Sequence, residues 1–174
     1  CMAEGFSEAT YVERQEELCT LASHNLPLLG LPHAQVVNAD SAKHLSNMSR
    51  QAVIFIDPAR RDLKGRKTVL IGDCEPNITL LHEQLLQKAE RVIVKLSPML
   101  DISQALEQLP HVREVHVVSV GNECKELVLV MEASAHSANA RIVCINLPTT
   151  VPEVWPSTFS FTRQEEEEAA CTIA

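Results

Sequence analysis

Short runs of apolar residues alternate with segments of helical periodicity along most of this chain. Val53-Ile54-Phe55-Ile56 is continuous and rich in residues that favour strands, whereas 78–89 repeats apolar residues at steps of three and four. Alternation of this kind is typical of a parallel sheet whose faces are covered by helices. We therefore predict an α/β fold with a mostly parallel sheet.

The same pattern predicts where each element lies. Strands are expected at 9–12, 34–37, 51–56, 91–96, 112–120, 125–132, 141–147 and 158–162. Helices are expected at 15–29, 41–48, 78–89 and 102–109, with Gly30 ending the first and Ser41 capping the second. The link 121–124 is too short for a helix, so its two strands should form an antiparallel hairpin. The segment 59–77 is expected to be a polar loop.

Composition excludes several classes of protein. A chain of 174 residues with 45% apolar and 22% charged residues suits one folded domain. Its longest apolar runs have five residues, against the roughly 20 that cross a bilayer, and its first residues are not expected to form a secretory signal. The six cysteines form no C-x-x-C pair and the seven histidines are scattered. We expect a cytoplasmic protein with reduced thiols and no metal site.

Polar residues follow the predicted strands where each one ends. Glu13, Asp40, Asp57 and Lys95 come after four successive strands. Ligands of open α/β sheets bind beyond the carboxyl ends of the strands. An acid there suits the two hydroxyl donors of a ribose, and a second acid suits the adenine amino group; alternatively, these acids cap the following helices. The series predicts a cofactor that carries a nucleoside.

Three of these strand ends, together with the final hairpin, resemble class I S-adenosylmethionine-dependent methyltransferases. The matching residues are Tyr11-Val12-Glu13, Asn38-Ala39-Asp40 and Ile56-Asp57-Pro58-Ala59-Arg60. The stretches 57–62, 95–101 and 122–127 are similar to a bacterial group of these enzymes that carries a THUMP-like domain, a module associated with RNA binding. The resemblance implies S-adenosylmethionine as cofactor, with Glu13 on its ribose and Asp40 on its adenine. It places Asp57 at the methyl group and the substrate.

The resemblance also implies a glycine-rich cofactor loop after a first, central strand. The chain has five glycines and no G-x-G. We therefore expect an internal fragment that lacks the first strand of a Rossmann-like methyltransferase sheet. On this interpretation 1–163 is an incomplete catalytic domain, and 164–174 is an acidic tail or the start of a missing C-terminal region.

The residues after Asp57 bear on the substrate. Arg60 stands where methyltransferases that modify exocyclic amines carry an aromatic residue. A guanidinium plane stacks on a base or binds a phosphate with two hydrogen bonds. Pro58, Arg60 and Arg61 are therefore predicted to bind the substrate.

Two catalytic residues, Asp57 and Lys95, are predicted at the ends of neighbouring strands. With Glu123 or Glu126 from the hairpin, they resemble part of the Lys-Asp-Lys-Glu set of ribose 2′-O-methyltransferases. A lysine flanked by carboxylates suits the removal of a proton from a hydroxyl, and a structural ion pair is the alternative. Cys124, beside a lysine, is either a nucleophile or an inert thiol.

A third of the fifteen basic residues lie within 60–67, opposed only by Asp62: Arg60, Arg61, Lys64, Arg66 and Lys67. Such a segment suits contact with an RNA backbone, although it equally suits a solvated loop. We predict a methyltransferase that acts on RNA. The alternatives are a non-catalytic RNA-binding scaffold of the same fold and a nicotinamide-dependent oxidoreductase, and the final hairpin favours the methyltransferase over the oxidoreductase.

Overall fold

A computed structural model describes residues 5–60, 70–149, 156–166 and 168. The chain divides into two units, Cys1–Ser49 and Arg50–Ala174. None of the helices in the described ranges is both long enough and apolar enough to cross a membrane.

Residues 5–49 of the first unit form two strands and two α-helices: β1 (Ala9–Glu13), α1 (Glu16–Leu28), β2 (Ala34–Asn38) and α2 (Ser41–Asn47). β1 and β2 pair in parallel, with Glu13 opposite Asn38. Gly30 follows α1 with a φ of 80°, a left-handed conformation that glycine adopts without strain, as the sequence predicts. The cap of α2 differs from the prediction, because the Asp40 carboxylate rather than Ser41 accepts the Lys43 N–H.

The first unit buries few apolar side chains. Its buried hydrophobic residues within 5–49 are Cys19, Leu31 and Leu45. Leu18, Leu21 and Leu28 are exposed, and their spacing places them together on the side of α1 opposite Cys19. The periodicity thus predicts the helix correctly, but leucines that it places on one apolar stripe are not buried within this unit.

The described residues of the second unit form eight strands, two helices and a further helical segment at 163–166. The strands are β3 (Gln51–Ile56), β4 (Ala59–Arg60), β5 (Cys74–Glu75), β6 (Ala89–Leu96), β7 (Val112–Val120), β8 (Glu123–Met131), β9 (Arg141–Leu147) and β10 (Ser157–Thr162). The helices are α3 (Ile78–Lys88) and α4 (Ile102–Gln108).

Six of these strands form one sheet in the order β10-β9-β7-β8-β6-β3. The pairs β3–β6 and β7–β9 are parallel, and the pairs β6–β8, β7–β8 and β9–β10 are antiparallel. The α/β fold and the antiparallel hairpin are therefore confirmed. The predicted polar loop is wrong at both ends, because β4 and β5 pair there as a short antiparallel ladder.

The core of the second unit lies on one face of this sheet. Val94 on β6, Leu129 on β8 and Val115 on β7 are register partners, and all three are almost completely buried. Ala105 and Leu106 of α4 and Leu85 and Leu86 of α3 are also buried. Removing apolar surface from water contributes roughly 25 cal/mol per Å², so these buried side chains stabilise the unit.

A tight turn positions the hairpin that brings β8 between β6 and β7. Gly121 and Asn122 have φ values of 56° and 67°, as a two-residue turn between twisted strands requires. The Asn122 N–H donates to the Asn146 side-chain oxygen at 2.9 Å, and the Asn146 amide donates back to Asn122 at 2.8 Å. These bonds tie the turn to β9.

Candidate functional site

Lys95 lies between two carboxylates near the carboxyl end of β6. Its Nζ is 3.1 Å from Asp57 Oδ2 and 3.5 Å from Glu126 Oε2. Asp57 reaches it because β3 and β6 are parallel and in register up to Ile56 and Val94. Glu126 reaches it because Lys95 pairs with Val128 on β8, and side chains two residues apart on a strand share a face. The structure thus brings the two predicted catalytic residues together and selects Glu126 as their hairpin partner.

The electrostatics of this cluster keep Lys95 charged. Partial burial is the largest single influence and pulls its pKa down, but the hydrogen bonds and negative charges of Asp57 and Glu126 together outweigh it and hold the pKa above the ordinary value. The ammonium is therefore the form present at neutral pH. Proton removal by Lys95 requires that it first lose this proton, whereas the two carboxylates are available as acceptors.

A shallow cavity of about 170 Å³ adjoins the cluster. Its lining includes Asp57, Pro58, Lys95, Glu126, Ser97 and Cys74. Pro58 is buried and forms fixed backbone beside the exposed Asp57. The charged side chains of Asp57, Lys95 and Glu126 therefore line the cavity next to the rigid backbone of Pro58.

The predicted basic segment is only partly described. Arg60 belongs to β4, where its backbone pairs with Cys74. Arg61, Lys64, Arg66 and Lys67 lie outside the described residues. The substrate-binding role of Arg60 and Arg61 stays a prediction.

Three acids are predicted to bind the cofactor: Glu13 and Asp40 lie in the first unit, and Asp57 lies in the second. Glu13 Oε1 accepts the Gln15 N–H at 2.8 Å, and Asp40 Oδ1 accepts the Lys43 N–H at 3.0 Å. Asp40 is thus a helix cap, as the alternative interpretation holds. A carboxylate has two oxygens and about four acceptor positions, so a local bond to one oxygen leaves capacity for a ligand.

The side chain of Asn38 forms hydrogen bonds that the sequence patterns do not predict. Its Nδ2 lies 3.0 Å from the Glu13 carbonyl oxygen, 3.0 Å from the Arg14 carbonyl oxygen and 3.4 Å from Cys19 Sγ. These contacts join the end of β2 to the turn that follows β1. Within the described ranges, no group of three or more His, Cys, Asp and Glu side chains is arranged to hold a metal ion.

No protein-family model matches the chain. Over 109 residues, which are 63% of this chain, it is 32% identical to two proteins of Mycobacterium tuberculosis, one from strain CDC 1551 / Oshkosh and one from strain ATCC 25618 / H37Rv. Each is named an uncharacterized S-adenosylmethionine-dependent methyltransferase, and the match covers 28% of its length.

A solved structure is similar over more of the chain. The crystal structure of a "putative methyltransferase" from Porphyromonas gingivalis W83 aligns with 93% of this chain and 40% of its own, at a TM-score of 0.77 and 34% identity. The chain spans less than half the length of each of these relatives. It has the α/β fold of an S-adenosylmethionine-dependent methyltransferase.

Proposed function

We propose that this protein transfers a methyl group from S-adenosylmethionine to RNA. The observation that carries the proposal is the cluster of Asp57, Lys95 and Glu126, which faces a cavity near the carboxyl end of β6 in a methyltransferase fold. The names of the mycobacterial relatives support the cofactor.

Bound S-adenosylmethionine supplies a methyl group on a positively charged sulfur. Glu13 and Asp40 fit this cofactor chemically, because the carboxylates follow two paired parallel strands and accept hydrogen bonds from hydroxyl and amino donors. In the proposal Glu13 accepts from the ribose hydroxyls and Asp40 from the adenine amino group.

In the proposal, Asp57, Lys95 and Glu126 have different roles in the transfer of the methyl group. Asp57 is half-exposed at the cavity and accepts a hydrogen bond or proton from the attacking group of the substrate. Lys95 holds the Asp57 carboxylate in place through the 3.1 Å contact. Glu126 holds Lys95 from the other side.

RNA is proposed as the substrate because of the charge next to the site in sequence. Five basic residues lie within 60–67, beginning three residues after Asp57. Lysine and arginine side chains bind phosphates without reading sequence, so they suit an RNA backbone. The resemblance to methyltransferases with a THUMP-like domain is the second support.

Isothermal titration and a methyl-transfer assay with labelled S-adenosylmethionine test the activity. The assay uses the full-length protein. We expect it to bind the cofactor and to transfer the labelled methyl group to RNA, and we expect Asp57→Asn to reduce this transfer by about 100-fold or more. Asp73→Asn, which neutralises an acid of the same unit outside the cavity lining, should label RNA like the parent. A parent protein that binds no cofactor would exclude the proposed function.

The choice of RNA is tested separately. Replacing Arg61, Lys64, Arg66 and Lys67 together with Ser should weaken RNA binding and lower the salt dependence by roughly one unit of slope for each phosphate that the variant no longer binds. Cofactor affinity serves as the control and should not change. An RNA affinity and salt slope equal to the parent's would show that this segment does not hold the RNA.

A further inference from the structure

Asn38 ends β2 directly opposite Glu13, the last residue of β1. From this position its side-chain amide reaches across to the turn between β1 and α1. It donates to the carbonyl oxygens of both Glu13 and Arg14 at 3.0 Å. The two acceptors are consecutive, so one side chain fixes the orientation of both peptide units of the turn.

Other groups also donate hydrogen bonds to Glu13. The Glu13 carbonyl oxygen also accepts the Ala39 N–H at 3.0 Å and the Cys19 thiol at 3.3 Å. The Glu13 carboxylate accepts the Gln15 N–H at 2.8 Å. Glu13 is therefore held at its backbone by β2 and α1 and at its side chain by the turn.

The amide of Asn38 is suited to this position by chemistry rather than by burial. Asn38 is exposed, so its hydrogen bonds compete with water and contribute little to the free energy of unfolding. Aspartate has the same shape but no donor, and it would place an oxygen against two carbonyl oxygens. Because the exposed Asn38 amide donates to two carbonyl oxygens of one turn, its main effect is on the conformation of that turn.

We infer that Asn38 is a positioning residue that orients Glu13 toward the ribose of the cofactor. The inference rests on the proposed function, since it requires Glu13 to bind the cofactor. Asn38 acts through the turn and does not itself touch the cofactor.

The test uses the full-length protein and compares two asparagines of the first unit. Asn38→Ala should raise the Kd for S-adenosylmethionine by roughly three- to tenfold, the equivalent of one hydrogen bond. Asn38→Asp should raise it at least as much. Asn47→Ala is the matched control, because the Asn47 amide also donates to one backbone carbonyl, that of Lys43, but lies on α2 away from the turn; its Kd should stay within about twofold of the parent's.

Hydrogen exchange gives a readout that does not depend on the cofactor. In Asn38→Ala the Gln15 amide, which donates to the Glu13 carboxylate, should exchange faster, while amides in the middle of β1 and β2 keep their protection. Faster exchange throughout the unit would mean that Asn38 only stabilises the strand pair, and would overturn the inference.

A double-mutant cycle separates the inference from the proposed function. If Asn38 acts through Glu13, Asn38→Ala should have no further effect on the Kd in the Glu13→Ala background. A parent that binds cofactor and an Asn38→Ala variant that binds it equally well would overturn the inference alone. A parent that binds no cofactor would overturn both.

Discussion

Two ion clusters of opposite composition lie toward the two ends of the six-stranded sheet. Near the carboxyl end of β6, the cation Lys95 lies between the carboxylates of Asp57 and Glu126. At the other end of β6, the carboxylate of Glu132 lies between the cations of Arg91 and Arg113. β6 and β8 contribute to both clusters, whereas Asp57 follows β3 and Arg113 lies on β7.

The cluster around Glu132 leaves little hydrogen-bonding capacity unused. Glu132 Oε1 accepts from Arg91 Nε at 2.9 Å and Nη2 at 2.8 Å, and Oε2 accepts from Arg113 Nη1 at 2.6 Å. Its side chain is 15% exposed, against 33% for Lys95. The planar guanidinium groups of the two arginines form short hydrogen bonds with Glu132. The contacts of Lys95 are longer, and they adjoin a cavity. One end of the sheet is therefore suited to stability and the other to binding.

The largest expected effect separates the clusters by activity. Lys95→Met should lower kcat/KM for methyl transfer by about 100-fold, because Asp57 loses the charge that orients it. Arg113→Met, which also removes one cation from an ion cluster, should keep the parent's value. The comparison fails if both variants retain full activity, since the Lys95 cluster would then be structural as well.

Stability should show the reverse order. Glu132→Gln should lower the free energy of unfolding by about 1 to 2 kcal/mol, because charged hydrogen bonds to two arginines become neutral. This corresponds to a fall in Tm of about 2 to 4 °C per kcal/mol, measured by circular dichroism. Lys95→Met should cost no more than about 1 kcal/mol, since the contacts of Lys95 are longer and its side chain is more exposed than that of Glu132. A larger loss for Lys95→Met than for Glu132→Gln would contradict the assignment.

The smallest expected effect is on the pH dependence of the free energy of unfolding. The hydrogen bond from Arg113 is the chief cause that lowers the pKa of Glu132, assisted by Arg91 and opposed by burial. Because the folded pKa is lower than the unfolded one, the stabilisation is fully present above the unfolded pKa of about 4.3 and is lost as the pH falls through the folded pKa. Denaturant unfolding at a series of pH values should show the parent and Glu132→Gln converging below about pH 4. A constant difference down to about pH 2 would exclude this origin.

Much of the fold could be predicted from the sequence because its signals are local. The apolar run at 53–56 predicts β3, and the short link at 121–124 predicts the hairpin of β7 and β8. Parallel neighbours then bring Asp57 and Lys95 together, as predicted. The choice of Glu126 over Glu123 follows from strand register, which the sequence pattern does not specify to one residue.

The remaining features depend on contacts that leave no pattern in residue types. β4 and β5 are two residues long, too short for any periodicity. Asn38 donates to backbone carbonyls, which every residue carries, so its partners cannot be recognised from their side chains. Asp40 rather than Ser41 caps α2 because both are suitable capping residues and only the backbone conformation decides between them.

The position of β8 between β6 and β7 has a consequence for the order of assembly during synthesis. β3 and β6 leave the ribosome first and pair in parallel, but β7 has no place beside β6, because β8 separates them. β7 must therefore wait for β8, which joins it through a two-residue turn, a local event on a microsecond scale. We expect the hairpin to form as a unit and dock onto β6 in one step, so that pulse-labelling hydrogen exchange should protect the amides shared by β7 and β8 no later than those shared by β6 and β8.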